Sequence, residues 1–341
     1  MIHAPYLLYL GNETDELAVK TSRGVAQWRP ELCVGQYRGP ACTLSLGLPD
    51  MDFREAARSG ARTLVLGVAN AGGVIGGEIV QHAIAALEAG LDIASGLHQR
   101  LRDQPAIVAV AQHHGRRLFD VREPPRGLPI GKGIRRAGRR LLTVGTDCSV
   151  GKMYTTLAIE LEMRKRAMRA DFRATGQTGI LIAGSGVPVD AVVADFIAGS
   201  VEWLSPPRHD GGWDLIEGQG SLFHPSYAGV SLGLLHGAQP DALILCHEPG
   251  RPHMRGLPDR VLPDLKICLQ ANLAAARVTN PGVRAVGIAL NTSRFSAVEM
   301  ERVCGQVSAE LGLPCQDPLR TGVDRLVESL AESFPEPGPA V

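Results

Sequence analysis

Residues 141–156 read LLTVGTDCSVGKMYTT, and this stretch decides the fold of the surrounding chain. An apolar run ends in a glycine, a short polar loop follows, and a helical pattern begins after a Gly-Lys pair. Strand, glycine-containing loop, lysine and helix are typical of a phosphate-binding P-loop. Its backbone N–H groups surround an anion, while the helix N-terminus and the lysine add positive potential. The predicted cofactor-binding residues are Gly145, Thr146, Asp147, Cys148, Ser149, Val150, Gly151, Lys152, Met153 and Tyr154.

One residue of this loop departs from the usual pattern. The position after the lysine normally holds Ser or Thr, whose hydroxyl binds Mg²⁺, but here it is Met153. Thioether sulfur is a poor ligand for Mg²⁺, which prefers oxygen ligands in octahedral geometry. The loop also has five residues between Gly145 and Gly151, where the common form has four. We therefore expect it to hold phosphate groups without a metal ion.

Length and composition narrow the class of protein. The chain has 341 residues, more than usually fold around one hydrophobic core, so two domains are expected. Basic and acidic residues both number 35, and this balance argues against a dedicated nucleic-acid binder. No apolar run has the length of a membrane span, and the N-terminus does not resemble a signal peptide. The seven cysteines are widely spaced and form no CxxC pair, which predicts reduced thiols in a cytoplasmic protein without a zinc site.

The first third of the chain alternates predicted strands and helices. Strands are expected at residues 6–10, 33–37, 63–70, 91–95, 106–110 and 118–121. Helices are expected at residues 15–28, at 51–58 with Asp50 as N-cap, and at 78–88. This alternation predicts an α/β layer with a mostly parallel sheet.

Two predicted strand ends of this first part carry polar residues. Sheets of this class bind ligands at the carboxyl ends of their strands. One such end is Asn70, which precedes a glycine loop, and the other is the segment that leads to His98. The loop does not match GxGxxG and no acidic residue ends the next strand, so a dinucleotide site is not expected. For His98 the sequence favours a surface loop histidine over a catalytic one.

A basic connector rich in Pro and Gly separates the two predicted domains. Its arginines form either a solvated linker or a rim that attracts anions to the P-loop, and the first interpretation is favoured. The expected organisation is a first domain at residues 1–122, a linker at 123–138, a P-loop domain at 139–333 and a disordered tail at 334–341.

The remaining strands of the P-loop domain are predicted at residues 171–175, 213–217, 242–246 and 285–290. Helices are expected at residues 154–168, 262–277, 297–311 and 323–331, and a further helix starts at Asp190. The strand WDLIE ends in Glu217 and is followed by Gly218-Gln219-Gly220. A strand that brings an acid to the phosphate end of the sheet is the Walker B arrangement, in which the acid meets a metal or a bound water.

The wording GTDCSVGK together with IEG resembles dethiobiotin synthetase, whose loop has the same five-residue spacing. That resemblance implies an ATP- and Mg-dependent ligase or kinase that acts on a small carboxylate.

A closer resemblance covers about residues 6–327. The phrases that carry it are PYLLYLG, WRPELCVGQ, TLVLGVANAGG, LEAGLDIASGLH, LLTVGTDCSVGKMYT, FRATGQTGILIAGSGVPVDAVVADF, WDLIEGQGSLFHPSY, QPDALILCHEP and HMRGLPD. They are similar to the DgcN-type D-glutamate N-acetyltransferases, including the methionine and the longer loop. The resemblance implies acetyl transfer from acetyl-CoA to the amino group of a D-amino acid, with D-glutamate as the first candidate substrate. It also implies a Rossmann-like N-terminal domain before a P-loop domain, and a role in D-amino-acid breakdown beside an epimerase or racemase for N-acyl amino acids. We also expect a homo-oligomer.

Acetyl transfer to an amine needs a base, a polarised thioester carbonyl and groups that hold the substrate carboxylates. Glu217 is the first candidate base, although the sequence equally allows a structural acid bonded to loop amides. His98 and Asp103 are the second candidates, and His224 and His247 follow. Lys152 and backbone N–H groups are the alternative candidates for stabilising the developing oxyanion. The predicted substrate-binding residues are Asn70, Arg173, Gln177 and Gln219.

Cys148 allows a second route. A thiol at a helix N-terminus has a lowered pKa and can carry the acetyl group covalently. The alternative, which the sequence favours, is that its side chain only fills space while its N–H faces the phosphate. A third class, a non-catalytic nucleotide sensor, is disfavoured by the polar residues at strand ends in both domains.

Overall fold

The computed structural model describes residues 2–16, 18–68 and 74–335. These residues form two compact units. The first unit comprises residues 1–124 and 176–191, and the second comprises residues 125–175 and 192–341. Residues 176–191 thus group with the first unit, although they lie inside the predicted P-loop domain in sequence. None of the helices in the described part of the chain has the length and apolarity to cross a membrane.

The first unit is built on a five-stranded sheet. Its strands are β1 (Tyr6–Gly11), β2 (Cys33–Arg38), β3 (Thr63–Leu66), β4 (Asp92–Ser95) and β5 (Leu118–Asp120). They lie in the order β2-β1-β3-β4-β5, and all neighbours are parallel. The central strands β1, β3 and β4 are buried along their whole length, because helices cover both faces of such a sheet and apolar runs are stable there.

Four helices precede the second unit: α1 (Lys20–Trp28), α2 (Phe53–Arg58), α3 (Gly77–Glu88) and α4 (Pro105–His113). The strand predicted at residues 106–110 is wrong, because these residues lie in α4. Pro105 occupies the first turn of α4, and Ile107 and Ala111 are buried on one face, as residues four apart in a helix are. A short apolar run does not by itself distinguish a strand from a buried helix.

Two predicted helix starts are also wrong. Helix α1 begins at Lys20, five residues after the predicted start, because a turn closed by Ala18 N–H donating to the Asp15 carbonyl precedes it. Helix α2 is capped by Asp52, whose side chain accepts from Glu55 N in a capping box. The predicted cap, Asp50, instead accepts hydrogen bonds from Gln36 and Arg38 of β2.

The second unit has a six-stranded parallel sheet. Its strands are β6 (Arg139–Gly145), β7 (Ala170–Arg173), β8 (Trp213–Ile216), β9 (Ala242–His247), β10 (Arg284–Leu290) and β11 (Cys315–Gln316). They lie in the order β11-β10-β9-β6-β8-β7. The strand that leads into the P-loop is therefore central, between β9 and β8. The predicted α/β class, with a parallel-sheet domain followed by a P-loop domain, is confirmed.

The helices that follow β6 are α5 (Lys152–Lys165), α6 (Gln177–Ala183), α7 (Ile197–Leu204), α8 (Ala228–Ala238), α9 (Leu265–Arg277), α10 (Ala297–Leu311) and α11 (Asp324–Ser333). Of these, α6 belongs to the first unit. The helix predicted to start at Asp190 is replaced by two short 3-10 turns, Val189–Ala191 and Ala194–Phe196, before α7. Of the predicted tail, Phe334 packs edge-on against Trp213 with ring centroids 5.4 Å apart, and residues 336–341 lie outside the described residues.

Candidate functional site

The loop between β6 and α5 presents a set of backbone donors. Ser149 and Gly151 have φ values of 54° and 100°, in the left-handed region that suits glycine and costs other residues about 1–2 kcal/mol. The left-handed conformations of these two residues lead the chain directly into α5. In the described part of the chain, the N–H groups of four consecutive residues donate to no acceptor: Val150, Gly151, Lys152 and Met153. Four such donors at a helix N-terminus form a site for a phosphate group.

The Lys152 side chain lies beneath this loop and is 6% exposed. Its Nζ donates to the Asp147 carbonyl oxygen at 2.8 Å. Burial lowers the pKa of the Lys152 ammonium. A Cβ at Gly145 would lie 2.8 Å from Val150 Cγ2 and 3.1 Å from this Nζ, so a side chain there would crowd both groups. The glycine that ends β6 thus leaves room for the lysine.

A second charged group braces the outside of the loop. The Asp147 carboxylate is fully buried and accepts from Cys148 N at 2.7 Å and from Arg255 N at 2.8 Å. The Arg251 guanidinium pairs with it at 2.7 Å and also donates to the carbonyl oxygens of Cys148 and Ser149 at 2.7 and 2.9 Å. Arg251, which also contacts the buried Glu248 carboxylate through Nε at 3.1 Å, therefore links the buried aspartate to the left-handed turn.

The start of the loop is held by β9 and by the segment after β8. Thr146 Oγ1 lies 2.9 Å from His247 Nδ1, and Ser221 Oγ donates to the Thr146 carbonyl at 3.0 Å. Burial lowers the pKa of His247 to about 4, so its imidazole is neutral at neutral pH. His247, a candidate base from the sequence, has a positioning contact with the loop in this structure.

Glu217 directly follows β8 and is 4% exposed. Its carboxylate accepts from Thr175 N at 2.9 Å and from Gln219 Nε2 at 3.2 Å. These contacts agree with the structural role that the sequence allows for this acid, and they place Gln219 beside it.

Gly218 is required by the close approach of two chain segments. Its N–H donates to Thr143 Oγ1 of β6 at 3.0 Å, and a Cβ at this position would lie 1.7 Å from the Thr143 carbonyl oxygen. No other residue fits without moving β6, the strand that leads into the P-loop.

The Cys148 thiol lies near the carboxylate of Asp147 and the imidazole of His224, with the three ligand atoms within 4.8 Å of one another. A cation is disfavoured here, because Arg251 already pairs with the aspartate. His224 also has both ring nitrogens occupied: Nε2 lies 3.1 Å from the Arg255 carbonyl, and Nδ1 accepts from Ser226 N at 3.3 Å.

The covalent route through Cys148, which the sequence leaves as the less favoured alternative, requires a lowered thiol pKa. Burial raises the pKa of this thiol, and this effect outweighs the nearby Lys152. The thiolate is therefore scarce at neutral pH, which disfavours covalent catalysis through this residue.

Arg173 is engaged with another part of the second unit. Its guanidinium contacts the fully buried Asp214 carboxylate through Nε at 2.9 Å and Nη2 at 2.8 Å. Arg208 shares the same carboxylate at 2.9 Å. This gives Arg173 a structural partner in place of the substrate carboxylate suggested by the sequence.

The other candidates belong to the first unit. His98 and Asp103 are exposed, and Asp103 forms two 3.0 Å contacts with Arg100. Gln177 begins α6 and lies against Gly96, where a Cβ would be 2.6 Å from its Oε1. Asn70 lies outside the described residues.

Two family models match the chain. One is a P-loop domain of unknown function, DUF1611_C, at residues 129–327, and the other is a Rossmann-like domain of unknown function, DUF1611_N, at residues 33–124.

The chain belongs to the DUF1611 family.

Similar proteins of known name agree with this assignment. A D-glutamate N-acetyltransferase of Tritonibacter scottomollicae is 54% identical over 331 residues, 97% of this chain and 99% of that protein. A D-glutamate N-acetyltransferase of a Pseudoalteromonas species is 51% identical over 329 residues, 96% of this chain and 99% of that protein. The resemblance recognised in the sequence is thereby confirmed. A crystal structure of a DUF1611 family protein from Anabaena variabilis has 32% identity and a TM-score of 0.85, covering 97% of this chain and 100% of that one.

The arginines that brace the loop in this family member were missed by the sequence analysis. Arg251 and Arg255 lie in the segment HEPGRPHMRG, which follows β9. The available signal was positional: the segment contains two arginines among Gly and Pro and follows an apolar strand, so it lies at the carboxyl edge of the sheet. Only the pairing of β9 with β6 shows that this edge adjoins the P-loop.

Proposed function

We propose that this chain transfers an acetyl group from acetyl-CoA to the amino group of D-glutamate. The observation that carries the reaction and the acceptor is the identity of 54% and 51%, over nearly the full length, to two proteins named D-glutamate N-acetyltransferase. These names also disfavour a non-catalytic nucleotide sensor.

The choice of acetyl-CoA as donor is supported by the P-loop. Its four unpaired N–H donors and the buried Lys152 suit a phosphate group. Met153 occupies the position where a magnesium-binding hydroxyl normally stands. Coenzyme A carries a diphosphate and a 3′-phosphate that can be bound without a metal, whereas ATP hydrolysis uses Mg²⁺. The loop chemistry therefore favours coenzyme A over ATP.

In the proposed reaction, the amine nitrogen of D-glutamate attacks the thioester carbonyl carbon. The new C–N bond forms, the C–S bond breaks, and coenzyme A leaves as a thiolate that is then protonated. A base removes the proton of the amine. We keep Glu217 as the proposed base, supported by its burial at the carboxyl end of β8, beside the strand that leads into the loop. The raised pKa of Cys148 supports direct transfer without an acyl-cysteine.

The proposal is tested by incubating the purified protein with acetyl-CoA and D-glutamate. We expect release of free thiol and a product whose mass equals that of N-acetylglutamate, with L-glutamate as the matched control substrate. Lys152→Ala should raise the KM for acetyl-CoA, and Glu217→Gln should lower kcat. Product formation that requires ATP and Mg²⁺, with no thiol release, would instead support the ligase of the dethiobiotin synthetase kind.

The cellular context stays a prediction. We propose a homo-oligomer in the cytoplasm that supplies an N-acetyl-D-amino acid to an epimerase or racemase. Size-exclusion chromatography with light scattering tests the assembly, and a coupled assay with such an epimerase tests the order of the two reactions.

A further inference from the structure

A cavity of about 230 Å³ adjoins the P-loop on the side of β10. Its wall is formed by Val150 and Gly151 of the loop, Tyr154 of α5, Asn291 after β10 and Leu319 after β11. We call it the α5 cavity. It lies wholly within the second unit, and none of the residues discussed above as candidate bases lines it.

The size and lining of the α5 cavity suit one flat ring system. Pockets for whole drug-sized ligands have about 300–1,000 Å³, so this cavity has room for only a part of a large cofactor. Val150 and Leu290 provide buried apolar walls. Leu319 is 56% exposed and lines the cavity, so its apolar side chain is available to cover a bound ring.

Asn291 supplies the polar edge. Its Oδ1 accepts from Ser293 N at 3.2 Å, and its Nδ2 donates to no residue in the described ranges. An asparagine amide offers a donor and an acceptor side by side, the pair that matches the N6 and N7 edge of adenine.

Asp317, another polar residue of the wall, is already engaged. Its Oδ2 accepts from Thr292 N at 2.8 Å, and its Oδ1 accepts from Leu319 N at 2.9 Å. This buried carboxylate therefore shapes the wall and positions Leu319, whereas the Asn291 amide has hydrogens to donate to a ligand.

The cavity is continuous with the anion site. Val150 and Gly151 line it, and their N–H groups are among the four unpaired donors of the loop. A ligand with its diphosphate on these donors therefore places the adjoining group at the cavity. We propose that the α5 cavity binds the adenine of coenzyme A, that Asn291 recognises its polar edge, and that the loop holds the diphosphate. This inference rests on the proposed acetyl-CoA donor.

The test compares two acetyl donors that differ by the adenosine 3′,5′-bisphosphate part of coenzyme A. Acetyl-CoA contains it, and S-acetyl-4′-phosphopantetheine keeps a phosphate but lacks it. Asn291→Leu removes the amide at similar size, and Leu319→Gln makes the apolar cover polar without adding charge. Val298→Gln is the matched control, because Val298 is 76% exposed on α10 and does not line the cavity.

For Asn291→Leu we expect the KM for acetyl-CoA to rise about tenfold, as loss of a paired adenine contact implies. Leu319→Gln should shift it in the same direction. Neither variant should change the KM for S-acetyl-4′-phosphopantetheine, and Val298→Gln should change neither donor. An unchanged KM for acetyl-CoA in Asn291→Leu would place the adenine elsewhere. Equal effects on both donors would mean that the variants disturb the loop, and this too overturns the inference.

Failure of the proposed function is recognised separately, because the wild-type protein would then transfer no acetyl group from either donor. Isothermal titration with coenzyme A and with 4′-phosphopantetheine then decides the question. Weaker binding of coenzyme A alone by Asn291→Leu supports the adenine site. Absence of coenzyme A binding by the wild type, or equal binding by wild type and variant, overturns it.

Discussion

Replacing Arg251 with Met removes the guanidinium that pairs with the buried Asp147 carboxylate. That carboxylate is fully buried and lies 2.7 Å from the guanidinium. Breaking a buried pair by removing one partner costs about 3–5 kcal/mol, because a charge is left uncompensated. Asp147 keeps two backbone N–H donors, from Cys148 and Arg255, so we expect the lower value, about 3 kcal/mol.

A double-mutant cycle isolates the pair from the other contacts of Arg251. Asp147→Asn alone should cost about 2 kcal/mol, the order of a hydrogen bond to a charged group. In the double variant the two changes should be less than additive by about 1.5 kcal/mol or more, since neither charge is left alone. Urea denaturation in a Trp28→Phe background measures this, because Trp203 and Trp213 then report on the second unit only.

Arg294→Met is the matched control for this cycle. Arg294 also pairs with an acid of this region, Glu248, at 3.3 Å, but 63% of its side chain is exposed. Because this arginine is largely exposed, and Glu248, 7% exposed, keeps its pair with Arg251, loss of the contact should cost about 0.5 kcal/mol. Two results would refute the view that Arg251 holds the loop through this buried charge. One is a coupling free energy between Arg251 and Asp147 below about 0.5 kcal/mol, and the other is an equal loss of unfolding free energy in Arg251→Met and Arg294→Met. We also expect Arg251→Met, but not Arg294→Met, to raise the KM for acetyl-CoA.

Four further outcomes are expected. Gly218→Ala should abolish folding of the second unit in a circular-dichroism melt, because its Cβ would lie 1.7 Å from a backbone carbonyl oxygen, whereas Gly229→Ala, which meets nothing within 4 Å, should be tolerated. Cys148→Ser should keep most of its acetyltransferase activity, since burial raises the thiol pKa; complete loss of turnover would reinstate a covalent route. His247 has a pKa of about 4 against an ordinary 6.5, so between these values the unfolded chain binds more protons. The contribution of His247 to the free energy of unfolding is complete above pH 6.5 and falls as the pH drops towards 4. The free energy of unfolding of the wild type, measured in urea, should therefore decrease from pH 7 to pH 5 by about 2 kcal/mol more than that of His247→Gln. Met153→Thr restores the usual magnesium-binding hydroxyl, and thermal shift should then show greater stabilisation by ATP–Mg²⁺ than in the wild type; equal shifts would mean that this position does not set the choice of ligand.

The sequence by itself determined the fold class and the character of the loop. The P-loop is a local feature, since strand, turn and helix lie within sixteen residues of one another, and its donors come from the backbone. Met153 could be interpreted at once, because the chemistry of its side chain does not depend on the rest of the fold. The alternation of apolar runs and helical patterns likewise predicts parallel sheets without knowledge of any long-range contact.

Only the tertiary structure decided which distant groups serve the loop. Arg251 and His247 reach it because β9 pairs with β6, and Asn291 and Leu319 form a cavity beside it because β10 and β11 follow β9 in the sheet. The local pattern of apolar residues predicts strands but does not reveal their order in the sheet. The partners of the loop, some hundred residues away in sequence, could therefore not be assigned. The partner of Arg173 could not be assigned for the same reason, since Asp214 meets it only across the pairing of β7 with β8. The direction of the Cys148 pKa also depends on burial, which is a property of the folded chain.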